Sequence, residues 1–199
     1  MSEKITRVKG GTVVDGTGRP AFVGDVLIVG DKIKEVVPST VHLSPSPSPS
    51  PSSSPYDEVI DATGAIVSPG FIDAHTHSDA YLVIEPDAPS KITQGVTTEL
   101  NGQCGGSVAP RYGEARLSSD WAAVLGERLT WRSLAEYREV LAAARPAVNT
   151  VQFVGHNTLR SSVVGYSARE LAREELQQLT RLLAASLDEG GWGHTTGLI

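Results

Sequence analysis

The chain reads as an α/β protein in which parallel strand–helix units begin at Val67 and follow a small β unit over residues 1–66. Three observations predict this class. Before residue 67 the apolar runs are short and separated by turn residues. After residue 67 strand-like runs alternate with helical patterns, the order that builds a parallel sheet. Within the first part, Ser44 to Pro55 is almost purely serine and proline, with five Ser-Pro pairs. Proline fixes φ and removes donors while serine buries nothing, so that run predicts a disordered or polyproline-like surface insert.

In chain order, Thr12-Val13-Val14 runs into Asp15-Gly16. Asp25 to Val29 and Lys32 to Val37 flank Gly30-Asp31. Gly supplies the positive φ of a tight hairpin, so this segment predicts a small antiparallel unit. After the insert, Glu58 to Asp61 and Ala65 to Val67 resume strand character and lead to Phe71-Ile72-Asp73-Ala74-His75-Thr76-His77. Pro89 to Gln94 fits a short helix ended by Gly95, and Val96 to Leu100 a β-branched strand. Ser133-Leu134-Ala135-Glu136 is a capping-box pattern and predicts a helix to about Ala144. Thr150 to Val154 is a third strand, ending at Gly155-His156. Ser167-Ala168-Arg169-Glu170 predicts a second capped helix, running to about Glu189, and Trp192 to Ile199 a fourth strand.

Composition narrows the function classes. A net charge of −6 without a basic block argues against nucleic acid as a partner. No apolar run approaches the roughly 20 residues of a membrane span, and the polar start Met1-Ser2-Glu3-Lys4 lacks the core of a secretory signal. The single cysteine makes no internal disulfide. A cytoplasmic protein is the expectation; the oligomeric state is left open.

Chemistry concentrates at strand ends. In an extended strand, positions i and i+2 share a face, so His75 and His77 project together, and two neutral imidazoles form half a metal site. Two surface histidines on an edge strand satisfy the same pattern. Cys104 follows the second strand in the Gly-rich run Asn101 to Gly106. It is either a small buried hydrophobe or a thiolate ligand.

The run from Pro69 to Asp79 resembles the signature of the metal-dependent amidohydrolase superfamily. Gln94-Gly95-Val96-Thr97-Thr98 and Asn101-Gly102-Gln103-Cys104-Gly105 resemble its D-aminoacylase (N-acyl-D-amino-acid deacylase) branch. The resemblance extends from about Val8 to the last residue, interrupted by the Ser-Pro insert. It implies a (β/α)8 TIM-type barrel preceded by half of a β-sandwich, with residues 67–199 forming about four of the βα units. It implies zinc held by Cys104, with His75 and His77 at the neighbouring metal position. The reaction implied is metal-assisted hydrolysis of an N-acyl-D-amino acid, so the partner expected is a small-molecule substrate. Many relatives bridge two metals with a carboxylated lysine from the fourth strand; the last lysine here is Lys91, which agrees with the cysteine branch. Gly155-His156-Asn157-Thr158-Leu159-Arg160 resembles the family's Gly-His-x-x-Leu-Arg element, which makes His156 pocket-lining or structural. His194 departs from the family pattern and is read as a substitution. Asp79 either orients His77 as a carboxylate behind the metal or lies in solvent.

A complete barrel takes about 250 residues, so the chain is expected to be an incomplete barrel. The general base and two further zinc-binding histidines of the family lie on later strands. On that expectation the chain alone is inactive as a deacylase. Two other readings stand beside this one. A cyclic amidase of the dihydroorotase or hydantoinase kind shares the His-x-His motif but not Cys104. A non-catalytic protein using part of a barrel for binding or assembly accounts for the insert.

Overall fold

Among the described residues five strands precede residue 70. They are β1 (Ile5–Val13), β2 (Phe22–Val29), β3 (Lys32–Pro38), β4 (Glu58–Asp61) and β5 (Ile66–Val67). The computed structural model describes residues 3–39 and 55–197, and the chain divides into two compact units, Met1–Pro69 and Gly70–Ile199. The Ser-Pro run up to residue 54 lies outside the described residues.

The first unit is one sheet in the order β3-β2-β1-β4, with β5 also on β1. The Gly30-Asp31 hairpin forms as expected: Val29 pairs with Lys32 across an antiparallel β2–β3 ladder, and Gly30 has φ 61°. The expectation of a purely antiparallel unit is corrected. Both β4 and β5 run parallel to β1, in registers Thr6↔Glu58 and Thr12↔Ile66. The long connection between β3 and β4 permits this, because a parallel partner cannot be reached by a tight turn. Val13, Val26, Val37 and Ala62 are buried here. Asp25, almost buried, accepts from Arg7 Nε at 2.9 Å and from the Gly10 amide at 2.8 Å.

The second unit alternates strand and helix. β6 (Phe71–Asp73), β7 (Val96–Asn101) and β8 (Asn149–Gln152) form a parallel sheet in that order. β9 (Val154–Gly155) pairs in parallel with β10 (His194–Thr195). The third predicted strand is therefore split at Phe153. Its amide still donates to Asn101 O at 3.0 Å, while Trp192 and Val154 join the chain around β10 through Gln152 O and Gly193 O. Gly102 explains how close the crossing is: its φ is +77°, and a Cβ there would sit 2.1 Å from Phe153 O.

Among the described residues six α-helices accompany these strands: α1 (Tyr81–Ile84), α2 (Pro89–Ile92), α3 (Ser119–Leu125), α4 (Leu134–Ala144), α5 (His156–Val164) and α6 (Arg173–Asp188). The Ser133 capping box forms: the Glu136 amide donates to Ser133 Oγ, and the Ser133 amide to Glu136 Oε2. The Ser167 box does not. α6 starts six residues later, with Glu175 accepting from the Ala172 amide at 2.8 Å and from the Arg169 guanidinium. α3 and α5 are short helices that sequence periodicity did not reveal. Trp131, Leu134, Tyr137, Val154, Leu159 and Leu179 form the core between strands and helices, and the Trp131 indole donates to Val108 O at 2.9 Å. Among the described residues no helix is long and apolar enough to cross a membrane.

Candidate metal centre

His75 and His77 lie in the loop directly after β6, and Cys104 in the turn after β7. Adjacency of the two parallel strands brings these segments together although 29 residues separate His75 from Cys104. Cys104 Sγ is 3.2 Å from His75 Nε2. One ligand atom from each of the three residues lies within 4.8 Å of the others. The two imidazoles stand edge to face with centroids 5.5 Å apart.

The loops carrying these groups are held in place. Asp73 accepts from the His75 amide at 3.2 Å and from Lys91 Nζ at 2.7 Å; the lysine beside it keeps its carboxyl below the usual range. Lys91 also donates to Thr76 Oγ1 at 2.8 Å. Gln103 Nε2 reaches Ala74 O and Leu100 O, tying the histidine loop to the cysteine turn. Cys104 itself has φ 53°, a left-handed conformation that a side-chain-bearing residue holds at a cost of about 1–3 kcal/mol. Strained residues of this kind cluster at functional sites.

The donor set suits a borderline-soft ion. Bonds of about 2.0–2.3 Å from zinc to imidazole and thiolate place tetrahedral ligands roughly 3–4 Å apart, which the observed spacing accommodates with small side-chain adjustments. His75 and His77 are exposed and Cys104 half-buried, so the cluster is open to solvent. Beside it lies a cavity of about 390 Å³ whose lining includes His77, Gln103, Cys104, Arg116, Trp121 and Tyr166.

Asp79 is placed differently from either sequence reading. It is fully buried, and its carboxylate accepts from Gln152 Nε2 at 3.0 Å. Burial pushes its pKa up to about 7. It thus joins the segment after β6 to the end of β8. His156 follows β9 directly and is the first residue of α5. Sequence reasoning missed Asp73, Lys91 and Gln103. The i, i+2 relation of Asp73 to His75 was the one available signal.

A model of the amidohydrolase family matches residues 58–191. The chain belongs to the amidohydrolase family, a family of hydrolases. More particularly, it is 35% identical to the N-acyl-D-glutamate deacylase of Alcaligenes xylosoxydans xylosoxydans, over 100% of this chain and 38% of that protein. A structure of D-aminoacylase, from work on the functional role of its binuclear metal centre, matches with a TM-score of 0.81 and 39% identity, over 96% of this chain and 38% of that one. The N-acyl-D-glutamate deacylase of Bordetella bronchiseptica, complexed with zinc and a phosphonate inhibitor, matches with a TM-score of 0.82 and 32% identity, over 100% and 39% of the two chains. The α/β fold is thus similar to that of the D-aminoacylases, and the chain spans about 38% of the length of the curated relative.

Proposed function

We propose that this chain carries metal-binding strands of a zinc-dependent hydrolase that cleaves the amide of an N-acyl-D-amino acid. The observation that carries the proposal is the convergence of His75, His77 and Cys104 on one point beside an open cavity. The second unit is read as the first βα units of a TIM-type barrel, where catalytic groups gather at the C-terminal strand ends. Residues 1–66 are read as half of a sandwich. A cytoplasmic setting suits a lone, half-buried thiol that must stay reduced.

His75, His77 and Cys104 would hold the ion. Zinc, when bound, supplies Lewis-acid polarisation of a substrate carbonyl. The chain's own residues do the positioning: Asp73 and Lys91 fix the histidine loop, and Gln103 keeps the cysteine turn against it. The cavity would receive the small-molecule substrate, with Trp121 and Leu117 offering apolar surface and Arg116 a positive charge. Among the described residues no carboxylate joins the three ligand atoms.

The test is zinc binding by the purified chain, followed by hydrolysis of N-acetyl-D-amino acids. The expected result is a zinc ion that is lost in both Cys104→Ser and His75→Ala, without turnover by the chain alone. A wild-type chain that binds no zinc, or binds it equally well after both substitutions, overturns the assignment. Turnover abolished by His75→Ala would instead place a general base within these residues.

A further inference from the structure

A second pair of imidazoles meets where β9 passes into α5 and β10 begins. His156 opens α5 directly after β9, and His194 opens β10. The two strands are parallel, with His194 beside Val154 and Thr195 beside Gly155. His156 is therefore two residues beyond the partner of His194, at the first position of α5. The rings face each other with centroids 5.5 Å apart and planes at 58°. The centroid separation equals that of His75 and His77.

The backbone under both rings is pinned. The Gly105 amide donates to Thr195 Oγ1, whose hydroxyl donates to Gly102 O. Gly105 O accepts from the Asn157 amide at 2.8 Å. Each imidazole is thus adjacent in sequence to a residue tied to the cysteine turn. Among the described residues neither ring shows a hydrogen bond or ion pair; their recorded interaction is with each other. Burial first, and then His156, hold the His194 pKa below its ordinary value. Two imidazoles without a carboxylate or thiolate suit the later divalent transition metals, for which nitrogen ligands are preferred.

We propose that His156 and His194 form a two-imidazole site for a divalent transition-metal ion, separate from the ion of the thiolate cluster. Water, or a carboxylate of a molecule bound nearby, completes its coordination. The site does not depend on the reading of the thiolate cluster, since it shares no ligand with it.

The test is cobalt(II) titration of the full chain, followed by visible and near-ultraviolet absorption. A thiolate ligand adds a sulfur-to-cobalt charge-transfer band; an imidazole-only site does not. Two bound equivalents are expected in the wild type. Cys104→Ser should lose the charge-transfer band yet retain an equivalent. His156→Gln and His194→Gln should each lose an equivalent while the band persists, and near-ultraviolet circular dichroism checks that they fold. A second measurement needs no variant: in the wild type, paramagnetic cobalt should shift or broaden the ring protons of both His156 and His194. Loss of all cobalt binding in Cys104→Ser would refute the proposal. So would unchanged stoichiometry in both histidine variants, or unperturbed ring protons.

Discussion

Cys104 carries two properties that substitution can separate, a thiolate and a left-handed backbone. Glycine accepts φ 53° freely, so Cys104→Gly should abolish zinc binding at the thiolate cluster yet leave metal-free stability unchanged or slightly raised. Cys104→Val places a β-branched side chain in that conformation and should cost about 1–3 kcal/mol. Urea unfolding of both variants in chelator checks the contrast; equal stabilities would remove strain from the account. Asp79 poses the opposite case. Replacing it by alanine leaves the buried Gln152 amide with Phe153 O as its one remaining acceptor and should destabilise by about 1–3 kcal/mol, measured by the same unfolding. The nearness of His75 to His77 was legible from their i, i+2 spacing, although both lie in the loop after β6, where strand alternation does not act, and Cys104 was tied to them by the family resemblance alone. The partner of Asp79 was not legible, since Gln152 lies 73 residues away and no pattern near either residue encodes the meeting.

At the scale of elements, the two helix starts show what local signals decide. Ser133 and Glu136 satisfy each other's orphan donors, so Ser133→Ala should cost about 1 kcal/mol. A thermal midpoint that does not move would contradict that. The similar pattern at Ser167 lost to a different start. Glu175 gathers the Ala172 amide and the Arg169 guanidinium, and an ion pair between turns outweighed a serine that had the right spacing. Those bonds hold the Glu175 carboxyl at about 2, against an ordinary 4.5. A depressed carboxyl stabilises the fold fully above its ordinary range and loses that contribution as pH falls toward 2. Glu175→Gln should therefore lower the melting temperature near neutrality and match the wild type near pH 2. Parallel melting curves at all pH values would show that the pair contributes nothing.

For the whole chain, alternation of strand and helix predicted the order of the second unit, because each segment announces its own periodicity. It did not predict the division into β6-β7-β8 and β9-β10. That division depends on Gly102 meeting Phe153, a contact between segments that each read as ordinary. The mixed first sheet was likewise hidden, since the direction of β4 is set by a connection and not by its four residues. One exposed feature bears on behaviour in solution. β6 lies at the edge of its sheet with Phe71 57% and Ile72 65% exposed. Such adjacent apolar side chains on an open strand favour association. Sedimentation velocity should show a concentration-dependent increase in mass that Ile72→Thr reduces. A monomer at every concentration would count against this.

The distance in sequence between the two arms of the thiolate cluster has a thermodynamic consequence. An ion held by His75 and Cys104 closes a loop of 29 residues, much as a covalent bridge would. Cross-linking a loop of that size removes freedom from the unfolded chain worth roughly 3–4 kcal/mol on the entropy model for disulfides. Metal affinity and folding free energy then become one quantity, because the unfolded chain does not present the ligands together. The supply of zinc during synthesis would set how much of this protein survives proteolysis, before any question of substrate arises.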